Sequence, residues 1–319
     1  FISNKFIAKQ VRENFPTNRL IKYIVMVCER LPFLDCLVDR EIMNATIDKA
    51  GLNLKTGMPP FTNIENEFCF SWLKQNGWEG PKQKIVCIHV RDSAYLTKYF
   101  NEDNQDYHSV RDANIDDFND VIHWLIKKRY FVVRTGKVAK KKLKVNYEFL
   151  VDYPFINNQN DLLDIWLMAN SSFVISSSSG LHEVPYGFNV PVIYVNFLPL
   201  GQVHSWKKSL VMGKHLIWED SNEHLNLEEY IKIHNYHGLS EYKKLKIKIK
   251  DLSKEEILET VKDGYSYFVE KKPFKKDDLL LTNQFKKAIL KSKSDIRDYH
   301  EFFNPKFVLS SNLFKFKKF

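Results

Sequence analysis

Residues 172–196, SFVISSSSGLHEVPYGFNVPVIYVN, decide the fold. Phe173 to Ile175 and Val190 to Val195 are short runs of β-branched and aromatic residues, the pattern of strands covered on both faces. Between them stand four serines, Ser176 to Ser179, then Gly180, and a short helix is predicted from Leu181 to Tyr186. In an open parallel sheet, ligands sit outside the carboxyl ends of the strands, where a βα turn presents backbone N–H groups and a helix N-terminus. Ser177, Ser178, Ser179, Gly180 and Leu181 occupy that place. Small hydroxyl side chains let a phosphate or ribose come close, Gly180 permits a backbone path other residues resist, and the helix adds partial positive charge. The competing reading is a flexible serine loop, which the two buried flanking strands disfavour.

Working outward, IVCIHV at 85–90 reads as a buried strand, and a helix from about Ile115 to Lys127 leads to a second strand, YFVVR, at 130–134. Further strands are expected at Tyr147–Val151 and Leu245–Ile249, with helices at Asp161–Asn170, Leu227–Ile233 and Lys254–Tyr267. Ser253 and Glu256 have the spacing of a capping box for the last of these. Strands alternating with helices predict an α/β, Rossmann-like parallel sheet with helices on both faces over residues 83–271. Residues 1–82 do not read as a complete domain. Helices are expected at Asn18–Arg30, Asp39–Lys49 and Glu65–Lys74, between breaker-rich stretches at 53–60 and 77–83. We take this segment as the mainly helical remnant of an N-terminal domain whose beginning is missing. Residues 272–319 read as a helical tail, with a helix near Thr282–Lys291 and a loose aromatic end.

The chain has 319 residues, ample for a core, and a net charge of +9. Much of the lysine excess lies in the C-terminal third, at 243–250, 271–276 and 315–318. Such runs are ordinarily a solvated face; they also suit an anionic membrane surface or a phosphorylated ligand. Nucleic acid is not an expected partner, because no helix-turn-helix, zinc-finger or ribonucleoprotein signature is present to read bases. Cys28, Cys36, Cys69 and Cys87 lack C-x-x-C spacing and fall in apolar surroundings, as buried reduced thiols do. No run approaches the roughly 20 apolar residues a membrane span needs. No leader is visible, although the chain begins with Phe1. The expected location is cytoplasmic, with peripheral contact at the inner face of a membrane as the extension of that reading.

The first strand ends in His89-Val90-Arg91-Asp92-Ser93, delivering imidazole, guanidinium, carboxylate and hydroxyl to the carboxyl edge of the sheet. Arginine suits phosphate because its planar fork donates parallel hydrogen bonds and keeps its charge. The alternative is that Arg91 and Asp92 bridge neighbouring loops. Tyr107-His108 and Arg111-Asp112-Ala113-Asn114 follow, with Asp112 or Asn114 expected to N-cap the helix at Ile115. Arg134 ends the second strand on the same edge. Three arginines beside a serine-glycine turn make a coherent anion site. Histidines 182, 204, 215, 224, 234 and 237 have no H-E-x-x-H spacing or companion cysteines, so no catalytic metal is expected. His182 and Glu183 begin the helix beside the turn, either positioning a ligand or packing.

In order, HVRDSAY at 89–95, YHSVRDANIDDF at 107–118, VVRTG at 132–136, SSSSGLHEVPYGFNVPVIYVNFLPLG at 176–201 and NPKFVLSSN at 304–312 resemble a family of bacterial glycosyltransferases. More distantly, the arrangement resembles the donor half of alpha-1,6- and protein O-fucosyltransferases, with their His-x-Arg-Arg-x-Asp motif and serine-rich turn. The resemblance implies the C-terminal half of a GT-B fold, in which two Rossmann-like domains bind acceptor and nucleotide-sugar. It implies no cofactor and no metal, because basic side chains and a helix N-terminus offset the charge of the leaving diphosphate. The chain departs from the fucosyltransferase motif at Asp92 and Ala94, so His89 and Arg91 carry over, with Ser177 to Ser179. The expected activity is transfer of a sugar to a cell-envelope glycan, a lipid-linked acceptor or another acceptor. Arg91 would pair with the diphosphate, helped by Arg111 or Arg134, while His89 orients the strand end. Ser93 lies on the same loop, and Asp92 would act as base, bind a sugar hydroxyl or pair with an arginine. The alternative is a non-catalytic nucleotide- or sugar-phosphate-binding protein, or an inactive remnant.

Overall fold

The apolar runs become strands because no solvated face is left for them. In the computed structural model, which describes residues 3–14, 23, 60–100, 109–236, 238–292, 294–300 and 302–314, the chain divides into units 1–61 and 62–319. Of the first unit, the described part is essentially the helix α1 (Lys5–Asn14), opened by Asn4 Oδ1 accepting from Ile7 N at 2.9 Å. The helices expected at 18–30 and 39–49 lie outside the described residues, as do Cys28 and Cys36.

The second unit carries strands β1 (Ile85–His89), β2 (Phe131–Arg134), β3 (Leu150–Asp152), β4 (Phe173–Ser176), β5 (Val192–Phe197), β6 (Ser209–Gly213), β7 (His215–Trp218), β8 (Ile247–Lys250) and β9 (Phe307–Leu309). Its helices are α2 (Asn63–Gln75), α3 (Ala94–Phe100), α4 (Asn119–Lys127), α5 (Asp161–Ala169), α6 (Val184–Gly187), α7 (Leu227–Lys232), α8 (Leu239–Lys244), α9 (Lys254–Phe268), α10 (Lys276–Lys291) and α11 (Ser294–Tyr299). Seven strands form one sheet in the order β3-β2-β1-β4-β5-β6-β9, and every pairing in it is parallel. This is the doubly wound, Rossmann-like arrangement. Every residue of β2, β4, β5 and β6 is buried, as sheets covered on both faces require. One covering layer contains α4 and α9, packed on each other and against β2, β5 and β6; the other contains α2, α5 and α6. The capping box expected before Lys254 is present, with Ser253 Oγ accepting from Glu256 N and Glu256 Oε2 accepting from Ser253 N.

Three expectations are corrected. The segment to residue 82 is not all remnant: α2 belongs to the sheet unit, where Trp166 Nε1 on α5 donates to Asn66 Oδ1 at 2.8 Å and the Phe70 ring meets Trp166 edge-on. Residues 272–319 are not simply a helical tail, because β9 pairs with β6 and Leu309 N donates to Thr282 Oγ1 on α10 at 2.9 Å. The strand expected at 245–249 exists as β8, but it pairs antiparallel with β7 in a separate two-stranded sheet. The strands β6, β7 and β9 escaped notice because SLVMG, HLIW and FVL are short runs of three to five residues with few β-branched members.

Helix α9 lies so close to β5 that Gly264 has no room for a side chain: a Cβ there would sit 2.4 Å from Ile193 Cδ1. Gly264→Ala is expected to lower stability by about 1–3 kcal/mol through overpacking, read as a lower urea midpoint with an unchanged slope. An unchanged midpoint would show that α9 can move off the sheet freely.

Candidate functional site

The strand order reverses direction between β1 and β4: the chain leaves β1 toward β2 on one side, while β4 lies on the other. Crossover connections leave a crevice at such a point, outside the carboxyl ends of the two strands. Both motifs singled out in the sequence meet there. Ser177 N donates to His89 O at 3.1 Å, and Arg91 N donates to Ser177 Oγ at 2.8 Å, so the two strand ends are stitched together.

His89 is the hub of this junction. Its Nδ1 lies 3.2 Å from Thr135 O and its Nε2 lies 2.6 Å from Ser179 Oγ, which also accepts from Leu181 N at 3.3 Å. A carbonyl only accepts, so Nδ1 carries the proton and Nε2 receives the Ser179 hydroxyl. Burial holds His89 down to about 4, against an ordinary value of 6.5. His182 extends the network. Its Nδ1 accepts from Ser179 N at 2.8 Å and its Nε2 lies 3.0 Å from Glu183 Oε1, while burial keeps it below its ordinary value. Among the lesser influences on His182 is the charge of Arg111.

Arg91 donates through Nε to Asp112 Oδ1 at 3.2 Å, and its side chain is only 12 % exposed. Among the described residues, its two terminal nitrogens have no protein partner. Burial raises the Asp112 carboxyl despite the opposing pull of Arg91. Lys214, which follows β6, is 3 % exposed; its Nζ donates to Asp112 O at 2.6 Å and lies 2.7 Å from Asp251 Oδ1. A cavity of about 250 Å³ opens at this rim, lined by Asp92, Asp112, Asn114, Arg134, Lys141 and Asp251 among others.

Several sequence expectations change on contact with this geometry. Arg134 is 1 % exposed and donates through Nη1 to Lys141 O and Asp152 Oδ1, so most of its charge is spent holding the 141–152 segment. Asp92 accepts through Oδ1 from Ala94 N and through Oδ2 from Lys140 N, both at 2.9 Å; it ties two loops and is poorly placed as a base. Gly180 does not have the left-handed backbone. Ser178 does, at φ +67, while a Cβ on Gly180 would meet nothing within 4 Å. The helix after the turn is a 3-10 segment, Gly180–Glu183, followed by the four-residue α6, so its dipole is weak. Leu181 N is already taken by Ser179 Oγ. The Ser93 and Ser176 hydroxyls are buried and have no hydrogen-bond partner among the described residues. Tyr107 and His108 lie outside the described residues. Asn114, not Asp112, caps the following 3-10 turn, accepting from Asp116 N at 3.4 Å.

Lys214 and Asp251 were missed. A lone lysine after a short strand has no sequence signal; only its burial at the strand end distinguishes it. Among the described residues no group of three His, Cys, Asp or Glu side chains has a metal-binding arrangement, and no helix is long and apolar enough to cross a membrane. No family model matches the chain, and no curated protein and no solved structure matches it.

Because His89 is neutral when folded and protonates near its ordinary value of 6.5 when unfolded, the unfolded chain binds more protons between about 4 and 6.5. Stability is therefore expected to decrease as pH is lowered from about 6.5 to about 4, by up to roughly 3 kcal/mol for this group. His300, held to about 4 by burial and bonded to Gly201 O, adds a second dependence of the same sign. Urea midpoints measured from pH 7 to pH 4 check this: His89→Asn should flatten the slope. A slope unaltered by that substitution would mean that His89 is not buried as a neutral ring.

Proposed function

We propose that the crevice between β1 and β4 binds the diphosphate of a nucleotide-activated sugar, and that the protein is a glycosyltransferase acting on a glycan or other hydroxyl acceptor. The observation that carries this reading is the state of Arg91. Its backbone is pinned by Ser177 and its Nε by Asp112, which leaves the outer fork unengaged at the place where open parallel sheets bind ligands. A fixed, mostly buried guanidinium with two donors to spare is pre-organised for two anionic oxygens. The open space beside Gly180 suits the same ligand.

In this reading Arg91 offsets the charge that develops on the diphosphate as the sugar–oxygen bond breaks and the acceptor oxygen bonds to the anomeric carbon. Asp112 is a positioning residue that holds the fork, and Lys214 positions Asp112 in turn through its carbonyl. His89 and Ser179 shape the turn, Arg111 adds positive charge felt by His182, and Asp92 keeps the loops at 94 and 140 together. One observation favours a binding protein without catalysis: both oxygens of Asp92, the carboxylate on the Arg91 loop, are engaged with backbone N–H groups.

Calorimetric titration with UDP-, GDP- and CMP-sugars tests the proposal. Binding of one of them should weaken about 10- to 100-fold in Arg91→Ala, the loss of a charge-assisted hydrogen bond pair, while Arg91→Lys recovers little. Gly180→Ala should keep the thermal midpoint and still reduce affinity, because the added methyl enters open space rather than the protein. Release of sugar or transfer at a measurable rate separates enzyme from binding module. If no nucleotide sugar binds, or if Arg91→Ala binds as well as the native chain, the assignment fails.

A further inference from the structure

Helix α10 buries one stripe, Asp278, Leu281, Thr282, Phe285 and Ile289, and turns the opposite one outward. On that outward side Leu279, Leu280 and Leu290 are 43 %, 56 % and 66 % exposed. Lys276, Leu280, Lys287, Leu290 and Lys291 recur at helical spacing on one face, which Asn283 and Gln284 complete in the middle turn. Exposed leucines are individually ordinary; three on one helix among lysines are not. Lys276, Lys287 and Lys291 are exposed and have no ion pair among the described residues, whereas nearby Lys272 and Lys275 are paired with Glu270 and Asp263. Asp277 is the exposed carboxylate of this helix. Beside it runs a groove of about 410 Å³, lined by Leu227, Leu281, Ala288 and Phe314, by Lys287 and Lys291, and by the single carboxylate Glu228.

We propose that this face of α10 docks on an anionic lipid bilayer, with the leucines at the headgroup boundary and the lysines on lipid phosphates. The argument from charge is direct: lysines without carboxylate partners lie beside apolar side chains on a protein of net charge +9. Lysine stems lie along apolar surface while their ammonium heads reach outward, which is how interfacial helices seat themselves. A protein partner fits less well, because protein interfaces exclude lysine from their apolar centre and confine charge to the rim. Here the two lie side by side in the first and last turns of the helix, with exposed Asn283 and Gln284 between them. The inference is independent of what the β1–β4 crevice binds.

Co-sedimentation of the 319-residue chain with vesicles decides the matter. Phosphatidylcholine vesicles containing about one third phosphatidylglycerol should bind it, and phosphatidylcholine alone should not. Each lysine at an anionic surface contributes about fivefold in affinity, so Lys287→Gln with Lys291→Gln should weaken binding about 25-fold. Leu280→Ser with Leu290→Ser should weaken it about tenfold or more. Both pairs should keep the native urea midpoint, since these side chains are exposed. Lys82→Gln with Lys84→Gln, exposed lysines near β1, should bind as the native chain does. The proposal is overturned by absence of binding, by equal binding to both vesicles, by undiminished binding in the Lys287/Lys291 pair, or by an equal loss in the Lys82/Lys84 pair.

Discussion

The architecture depends on the parallel pairing of β1 with β4, two strands far apart in sequence that are held in register from Val86–Phe173 to His89–Ser176. β2 and β3 lie on the β1 side of that contact, and β5, β6 and β9 on the β4 side. The two strand ends are closed by side chains. Ser177 donates from its backbone to His89 and accepts from Arg91 through its hydroxyl. A residue with one donor and one acceptor at that point is what lets two independent strand ends behave as one rim.

From this constraint the polar network follows. A neutral imidazole at 89 satisfies the Thr135 carbonyl and the Ser179 hydroxyl at once; a charged one would carry its charge into a site shut off from water. The turn can then take an energetically unfavourable left-handed residue at Ser178, because both of its neighbours are fastened. Positive charge is arranged in two tiers. Arg134 and Lys214 are buried and compensated by Asp152 and by Asp251, so they hold loops; Arg91 is only half engaged.

Much of the sheet was legible because fully buried strands announce themselves as continuous apolar runs: β1, β2, β4 and β5 could be read from composition alone. The serine turn was legible for the same reason, being bounded by two such runs. What could not be read depends on long-range contacts. β9 is three residues of ordinary apolar chain until it meets β6, and β8 reads as a sheet strand until its partner proves to be β7. The arginines illustrate the limit within the site. Arg91 and Arg134 both end strands on one edge, and nothing local distinguishes them; only the position of Asp152 spends the second on structure.

Lys214 has a wider consequence. By bridging the carbonyl of Asp112 and the carboxylate of Asp251, it anchors the segment before the 3-10 turn at 115–118 to the residue that follows β8. The walls of the crevice are thus set before anything arrives, and little interaction free energy is consumed in ordering them. Whatever fills such a crevice binds with little loss to ordering its walls, which makes crystallographic fragment soaking a practical route to the chemistry it accepts.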